Sequence, residues 1–357
     1  MKYLHVTNTD KFVLPYIKFI NKHFDQNSHK FAVIINNREE SFNQEVSNIE
    51  YFKNKNKHSI ISLSKLFYQY DGVYIHGLFN SRVILLLFLQ PWLLRKCSWI
   101  VWGADLYSYR EPKKTIKSIL KEITRKKVIK NFRHVCTLVK KDYEIAKEVY
   151  NVRGEYLPAM YLSQDRYIAI CRQLENATRR KDNIVKILIG NSATKSNHHI
   201  EVLELLKRFS HQNIEIYCPL SYGDSSYANE VIEYGTITFK EKFKPIIEFM
   251  NMDTYIELLD SMDIGIFNND RQQGLGNINS LLHLGKKVYL REGTTMWNEI
   301  HEEKKFVVYP VEMIKSIEFE ELNEFSNEDR IKNKILMEEN YSERSAVDIW
   351  RRIFNEK

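Results

Sequence analysis

Short runs of β-branched and aromatic residues alternate with helix-compatible segments along almost the whole chain, in two separate series. In the first, Tyr3–Val6, Phe31–Ile35, Gly72–His76, Ser98–Trp102 and Val135–Thr137 read as strands. Such alternation predicts a parallel sheet, because each return to a parallel neighbour needs a crossover, usually helical. Between about Ser163 and Asn183 the pattern dissolves into a polar stretch ending Arg179-Arg180-Lys181-Asp182-Asn183. It then resumes with strands at Val185–Ile189, Ile214–Pro219, Ile264–Phe267 and Lys287–Leu290. Helical patterns at His198–Phe209, Asp224–Tyr234, Asp253–Ser261 and Asn277–Leu284 intervene. The expectation is two doubly wound, Rossmann-like α/β domains over 1–165 and 184–326, joined by a linker at 166–183. A charged helical segment at 327–357 follows, with Ile331, Ile335, Leu336, Tyr341, Ile349, Trp350 and Ile353 as its buried positions. Two domains of roughly 150 residues suit a chain of this length.

Composition narrows the class. With 43% hydrophobic and 28% charged residues, and only 12 Gly and 7 Pro, the chain is that of a folded globular protein. Cys97, Cys136, Cys171 and Cys218 are widely spaced and form no CxxC pair, so they read as reduced and structural. The longest apolar run, Val83 to Leu94, falls short of the roughly 20 residues a spanning helix needs. Nothing at the N-terminus resembles a signal peptide, and a cytoplasmic setting is expected. There is no DxD triplet, GxxxxGK[ST] loop, HExxH or GxSxG elbow, so neither a metal nor another cofactor is implied. The net charge of +7 is unevenly placed: 113–133 carries nine Lys and Arg against the single acid Glu122.

The sharpest local signal is Arg271-Gln272-Gln273-Gly274-Leu275-Gly276-Asn277, which follows a buried strand and opens a helix. Glycines there let the backbone approach a ligand closely. Free N–H groups at the helix start favour an anion, and Arg271 offers a bidentate phosphate partner. A tight turn without ligand is the alternative. A second strand-to-helix junction, Gly190-Asn191-Ser192 running to Ser196-Asn197-His198-His199, reads either as a well-capped connection or as another ligand loop. In an open parallel sheet ligands bind at the carboxyl ends of strands, where both loops lie.

In the first domain His76-Gly77-Leu78-Phe79-Asn80 and Trp102-Gly103-Ala104-Asp105-Leu106-Tyr107 also sit at strand ends. His76 and Asp105 are candidates for a general base and its orienting partner, and Asp10, in the loop after the first strand, is a third. A structural histidine and a helix-capping aspartate are the other readings. Within 113–130, Ile116, Ile119, Leu120 and Ile123 share one helical stripe amid cations. This fits either a solvated helix or one lying on an anionic membrane surface. No nucleic-acid-binding motif accompanies it.

Taken in order, these blocks resemble the TDP-N-acetylfucosamine:lipid II N-acetylfucosaminyltransferases of enterobacterial common antigen synthesis, the 4-alpha-L-fucosyltransferase family. The resemblance spans roughly residues 70 to 300. It implies a GT-B fold, two Rossmann-like domains facing a cleft, with the acceptor held by the N-terminal domain and the TDP-sugar by the C-terminal one. It also implies an undecaprenyl-diphosphate-linked saccharide as acceptor and peripheral attachment to the cytoplasmic side of the inner membrane. Gly190, Asn191, Ser192, Arg271, Gln273, Gly274, Leu275, Gly276 and Asn277 are then the expected donor ligands, with Asp105 the first choice of base. The helix N-terminus and Arg271 take the place of a metal. The alternatives are an O-antigen or capsule enzyme using another nucleotide 6-deoxyhexose, a non-catalytic nucleotide-sugar-binding protein, and a sugar-nucleotide epimerase.

Overall fold

The computed structural model describes residues 1–10, 12–35, 46–54, 57–112, 115–162, 164–176 and 183–355. The chain divides into two compact units. The first is Met1–Gln164 with Glu343–Lys357, and the second is Asp165–Ser342.

The first unit holds seven parallel strands: β1 Tyr3–Asn8, β2 His29–Ile35, β3 Ile49–Lys53, β4 Gly72–His76, β5 Cys97–Ile100, β6 His134–Thr137 and β7 Glu155–Pro158. Their order in the sheet is β3-β2-β1-β4-β5-β6-β7. The helices between them are α1 Val13–His23, α2 Lys57–Gln69, α3 Ser81–Leu89, α4 Ala104–Tyr107, α5 Ile116–Lys130 and α6 Lys140–Tyr150. Helices α2, α3, α5 and α6 pack side by side. Strands covered on both faces can be apolar at nearly every position, and β4 and β5 are buried almost throughout.

The second unit begins with α7 Gln164–Asn176 and carries six parallel strands: β8 Val185–Ile189, β9 Ile214–Pro219, β10 Phe243–Ile246, β11 Ile264–Phe267, β12 Lys287–Leu290 and β13 Tyr309–Pro310. Their order is β10-β9-β8-β11-β12-β13. Its remaining helices are α8 His199–Leu206, α9 Ser225–Phe239, α10 Met252–Ser261, α11 Leu275–His283, α12 Thr295–Trp297, α13 Phe319–Asn323 and α14 Asn327–Tyr341. The last helix, α15 Glu343–Asn355, belongs to the first unit.

Two expectations about boundaries need correction. The stretch 166–183 is not a plain linker: α7 occupies 164–176 and is part of the second unit, while 177–182 lies outside the described residues. The segment 327–357 is not one appendage either. Helix α14 packs on α11, with Asn333, Met337 and Tyr341 inward, while Ile331 and Ile335 are exposed. Helix α15 has a strong apolar stripe, Ala346, Trp350, Ile353 and Phe354, and that stripe must be covered. The first unit covers it. Trp350 is fully buried and its Nε1 donates to the Met160 carbonyl at 2.7 Å, while Tyr3 and Tyr74 donate to the Phe354 and Ile353 carbonyls.

Candidate functional site

Strand order reverses direction between β1 and β4 in the first unit and between β8 and β11 in the second. At such a switch point the loops leaving the two strands part to opposite faces and open a crevice at the carboxyl edge, the usual ligand site of an open α/β sheet. Asp10 and His76 lie at the first switch point, with Asp105 one strand further on. The Gly190 and Gly274 loops lie at the second.

In the second unit the two loops are tied to one another. The Gly190 amide donates to Ile266 O at 3.0 Å, which fixes the β8 exit against β11. Gln273 Nε2 donates to Ser192 Oγ at 3.1 Å, and Ser196 Oγ donates to Gln273 Oε1 at 2.6 Å. Asn197 Nδ2 donates to the Ser192 carbonyl at 2.9 Å, and Asn269 Nδ2 donates to Asn197 Oδ1. Ser192 is 1% exposed and Gln273 is half-buried. Their side chains brace the loops and do not present themselves to a ligand, which corrects the donor contact expected of them. Gly190 and Gly274 both have left-handed backbones, with φ of 67° and 71°. A Cβ on Gly190 would stand 2.6 Å from His199 Nε2, and one on Gly274 would stand 3.2 Å from Asn191 Oδ1. Glycine is required by conformation and by space alike.

Helix α11 starts at Leu275 with Gly274 as its N-cap, and no side chain caps it. The Leu275 and Gly276 amides have no carbonyl one turn back to accept them, so they point out of the helix end as anion donors. Arg271 is half-buried four residues before Leu275. Asn277 Nδ2 donates to Tyr255 Oη at 2.7 Å, so its side chain anchors α10 while its first-turn position is kept. Sequence reasoning missed Arg166. It donates to Gly276 O and Ser280 Oγ, both at 2.8 Å, and puts a guanidinium against the first turn of α11. Burial pulls its pKa below the usual arginine value, and Tyr255 and Tyr222 partly offset that. Nothing in the polar run where it falls distinguishes it from its neighbours.

Five buried side-chain polar atoms among the described residues lack a hydrogen-bond partner: Asn191 Oδ1, His199 Nε2, Asn269 Oδ1, Asn279 Oδ1 and Arg291 Nη1. All belong to the second unit, in or beside the loops leaving β8, β11 and β12. Buried polar groups are almost always paired, so their concentration at one strand edge marks a place built to receive hydrogen bonds from elsewhere.

The first unit is the opposite case. Asp105 is 2% exposed and accepts from Leu78 N at 2.9 Å, Trp99 Nε1 at 2.7 Å and Trp102 N at 2.9 Å. Burial raises its pKa, and those three donors together with Arg125 oppose the rise. A carboxylate so enclosed ties the β4 and β5 exit loops together and cannot reach an acceptor, which corrects the base role expected of it. His76 is likewise 2% exposed, with both ring nitrogens engaged. Trp102 Nε1 must donate to Tyr161 Oη, so Tyr161 donates to His76 Nδ1. His76 Nε2 then donates to His5 Nδ1 at 3.1 Å, and His5 Nε2 donates to His29 Nδ1 at 2.9 Å. Burial pushes His76 to about 3 and lowers His5 well below its usual value. His29 falls to about 4, burial outweighing the Asp25 carboxylate. The chain is neutral and internal, so His76 is a structural residue here. Asp10 differs: its carboxylate is exposed, with Oδ1 accepting from Phe12 N at 3.1 Å.

A family model described as 4-alpha-L-fucosyltransferase, glycosyl transferase group 56, matches residues 7–344. The chain belongs to that family. Its fold is also that of solved glycosyltransferases. HepE of Anabaena, solved with UDP and with UDP and glucose, superposes with TM-scores of 0.69 and 0.68 at 10% identity over 99% of both chains. The UDP-forming trehalose-phosphate synthase of Burkholderia xenovorans gives 0.67 at 9% identity over 99% of this chain and 98% of its own. A glycosyltransferase of Rickettsia africae gives 0.63 at 13% identity over the full length of both. Family and fold together make the chain a nucleotide-sugar glycosyltransferase of the GT-B type.

Proposed function

We propose that this glycosyltransferase moves a deoxy-amino sugar resembling N-acetylfucosamine from a TDP-sugar to an undecaprenyl-diphosphate-linked saccharide in bacterial surface polysaccharide synthesis. The observation that carries the donor side is the gathering of unfilled polar groups around the β8 and β11 loops. The diphosphate is assigned to the Leu275 and Gly276 amides and Arg271, with Arg166 adding positive potential beside that turn. The amide oxygens of Asn191 and Asn269 suit sugar or ribose hydroxyls. These charges and dipoles stabilise the leaving diphosphate as the anomeric C–O bond breaks, and no metal is assigned a part. The acceptor is assigned to the first unit. Of its three candidate groups Asp10 alone is exposed, and it is the one assigned to take the acceptor proton.

The test is transfer from a panel of TDP-, UDP- and GDP-sugars to an undecaprenyl-diphosphate disaccharide, read by mass spectrometry of the lipid product. Product with TDP-4-acetamido-4,6-dideoxyhexose is expected. Product only with another nucleotide overturns the donor assignment. Binding without product points to a scaffold protein, and donor conversion without lipid points to an epimerase.

A further inference from the structure

The run Val83 to Leu94 leaves an unusual surface. Helix α3 is apolar almost all round, and such helices are normally covered on every side. Here Val83, Ile84, Leu86 and Leu87 face the core, while Leu85 and Leu89 are 50% and 63% exposed. In the turn after α3, Trp92 is exposed, and its Nε1 donates to the hydroxyl of Tyr68 on α2 at 3.0 Å. Helix α5 packs against α3, with Lys127 lying 5.7 Å over the Phe88 ring. Its first two turns leave Ile116, Ile119, Leu120 and Ile123 between 46% and 79% exposed. Three adjacent helices thus present isoleucine, leucine and an aromatic pair to the outside, where isolated apolar residues would be ordinary and a contiguous patch is not.

Charge identifies what covers the patch. The segments 57–69, 81–96 and 116–130 contain eleven Lys and Arg and one acid, Glu122. That acid is engaged by Arg125 at 3.2 Å. Arg125 itself is 4% exposed and donates to Tyr150 Oη and to the Asp105 carbonyl, so it is not one of the surface cations of the helix. Lys117, Lys121 and Lys126 are exposed. A second copy of the chain seated symmetrically on this face would oppose cations with cations. An anionic lipid surface offers apolar depth for the side chains, phosphates for the lysines, and an interface where Trp and Tyr are favoured.

We propose that the outer faces of α2, α3 and α5 are a membrane-docking surface. They lay Leu85, Leu89, Ile116 and Leu120 into the headgroup region of an anionic bilayer, with Lys117, Lys121 and Lys126 on its phosphates. The proposal extends the reading of a lipid-linked acceptor and is tested apart from it. The full chain is floated with vesicles of phosphatidylcholine alone and of phosphatidylcholine mixed with phosphatidylglycerol. Flotation is run at about 0.1 M and about 1 M salt, which shortens the screening length from about 10 Å to about 3 Å. The wild type is expected to float with anionic vesicles and to be partly released by salt. Leu85→Ser with Leu89→Ser and Leu120→Ser should lower partition by at least about tenfold on the basis of lost apolar burial. Lys117→Gln with Lys121→Gln and Lys126→Gln should lower binding to anionic vesicles and abolish its salt dependence. Thermal unfolding followed by tryptophan fluorescence checks that each variant folds. Folded variants that float like wild type overturn the proposal. So does sedimentation showing a wild-type dimer that only the leucine variant dissociates, with vesicle binding unchanged. Transfer to a short-chain soluble acceptor is read in the same preparations. If wild type floats but transfers nothing, the acceptor reading fails and the docking surface stands.

Discussion

Acid should destabilise the first unit through its histidine chain. The folded values are about 3 for His76 and about 4 for His29, with His5 lowered in the same sense, whereas an unfolded histidine titrates near 6.5. Because burial holds the folded values below the unfolded one, the unfolded chain takes up protons first. Stability is therefore constant above about pH 6.5 and falls as the pH drops towards the folded values. At about pH 5 each of His76 and His29 removes roughly 2 kcal/mol relative to neutral pH, or roughly 4 kcal/mol together, with His5 adding to the loss. Asp105 opposes this, since a carboxyl whose folded pKa is raised gains stability as the pH falls. The decisive comparison is therefore the pH dependence of a variant, not the raw slope. Urea unfolding is followed by tryptophan fluorescence, which reports mainly this unit because Trp92, Trp99, Trp102 and Trp350 lie in it and only Trp297 in the other. With an m-value of about 3 kcal/mol/M, the wild-type midpoint should fall by about 1 M between about pH 7.5 and about pH 5. His29→Asn keeps an acceptor for His5 and removes one titration, so its midpoint should fall by roughly half as much. Equal pH dependence in the two proteins would refute the neutral chain.

Four further outcomes are expected. Arg271→Ala should weaken TDP binding by about 1.5–3 kcal/mol, roughly ten- to a hundredfold, and calorimetry showing unchanged affinity would remove Arg271 from the diphosphate site. Asp10→Asn should lower kcat by about 10²–10⁴ with donor affinity intact if Asp10 takes the acceptor proton, and near wild-type turnover would withdraw that role. Transfer should persist in EDTA, because helix amides and guanidinium groups hold the diphosphate; activity lost on chelation and restored by magnesium or manganese would contradict this. Trp350→Ala should cost the first unit about 3–5 kcal/mol, since it empties a fully buried site and leaves the Met160 carbonyl unpaired.

The interior of both sheets was legible in the sequence and their edges were not. The strands absent from the sequence reading are β3, β7, β10 and β13, and these are the four edge strands. An edge strand has one neighbour and an open side, so it needs no continuous apolar run. Ile49–Lys53 and Glu155–Pro158 are each only partly buried, and Pro245 and Pro310 stand in edges because a missing N–H is tolerated there. The glycine loops were legible because Gly190 and Gly274 need both a left-handed backbone and room. The roles of His76 and Asp105 were not. Sequence places them at strand ends, but whether a side chain turns inward depends on partners far along the chain, Tyr161 and His5 for one and Leu78 and Trp99 for the other.

The two switch points differ in how they use the same residue types, and that difference bears on function. Each exits its sheet through a glycine of positive φ, Gly77 at 71° in the first unit and Gly190 at 67° in the second. In the first unit the polar groups behind the exit satisfy one another: Asp105 takes three donors and the histidines run head to tail into Tyr161. A network with every member paired is rigid and offers a ligand little beyond its rim. In the second unit the loops are braced by Gln273, Ser192 and Asn197, yet Asn191, His199 and Asn269 each keep one polar atom unpaired. An unpaired buried polar atom costs about 1–3 kcal/mol, so three of them are a standing cost that a ligand making those bonds would relieve on binding. Placing the nucleotide sugar on the second unit explains why that cost is tolerated there, and why the first unit, with no such atoms among its described residues, suits a rigid platform.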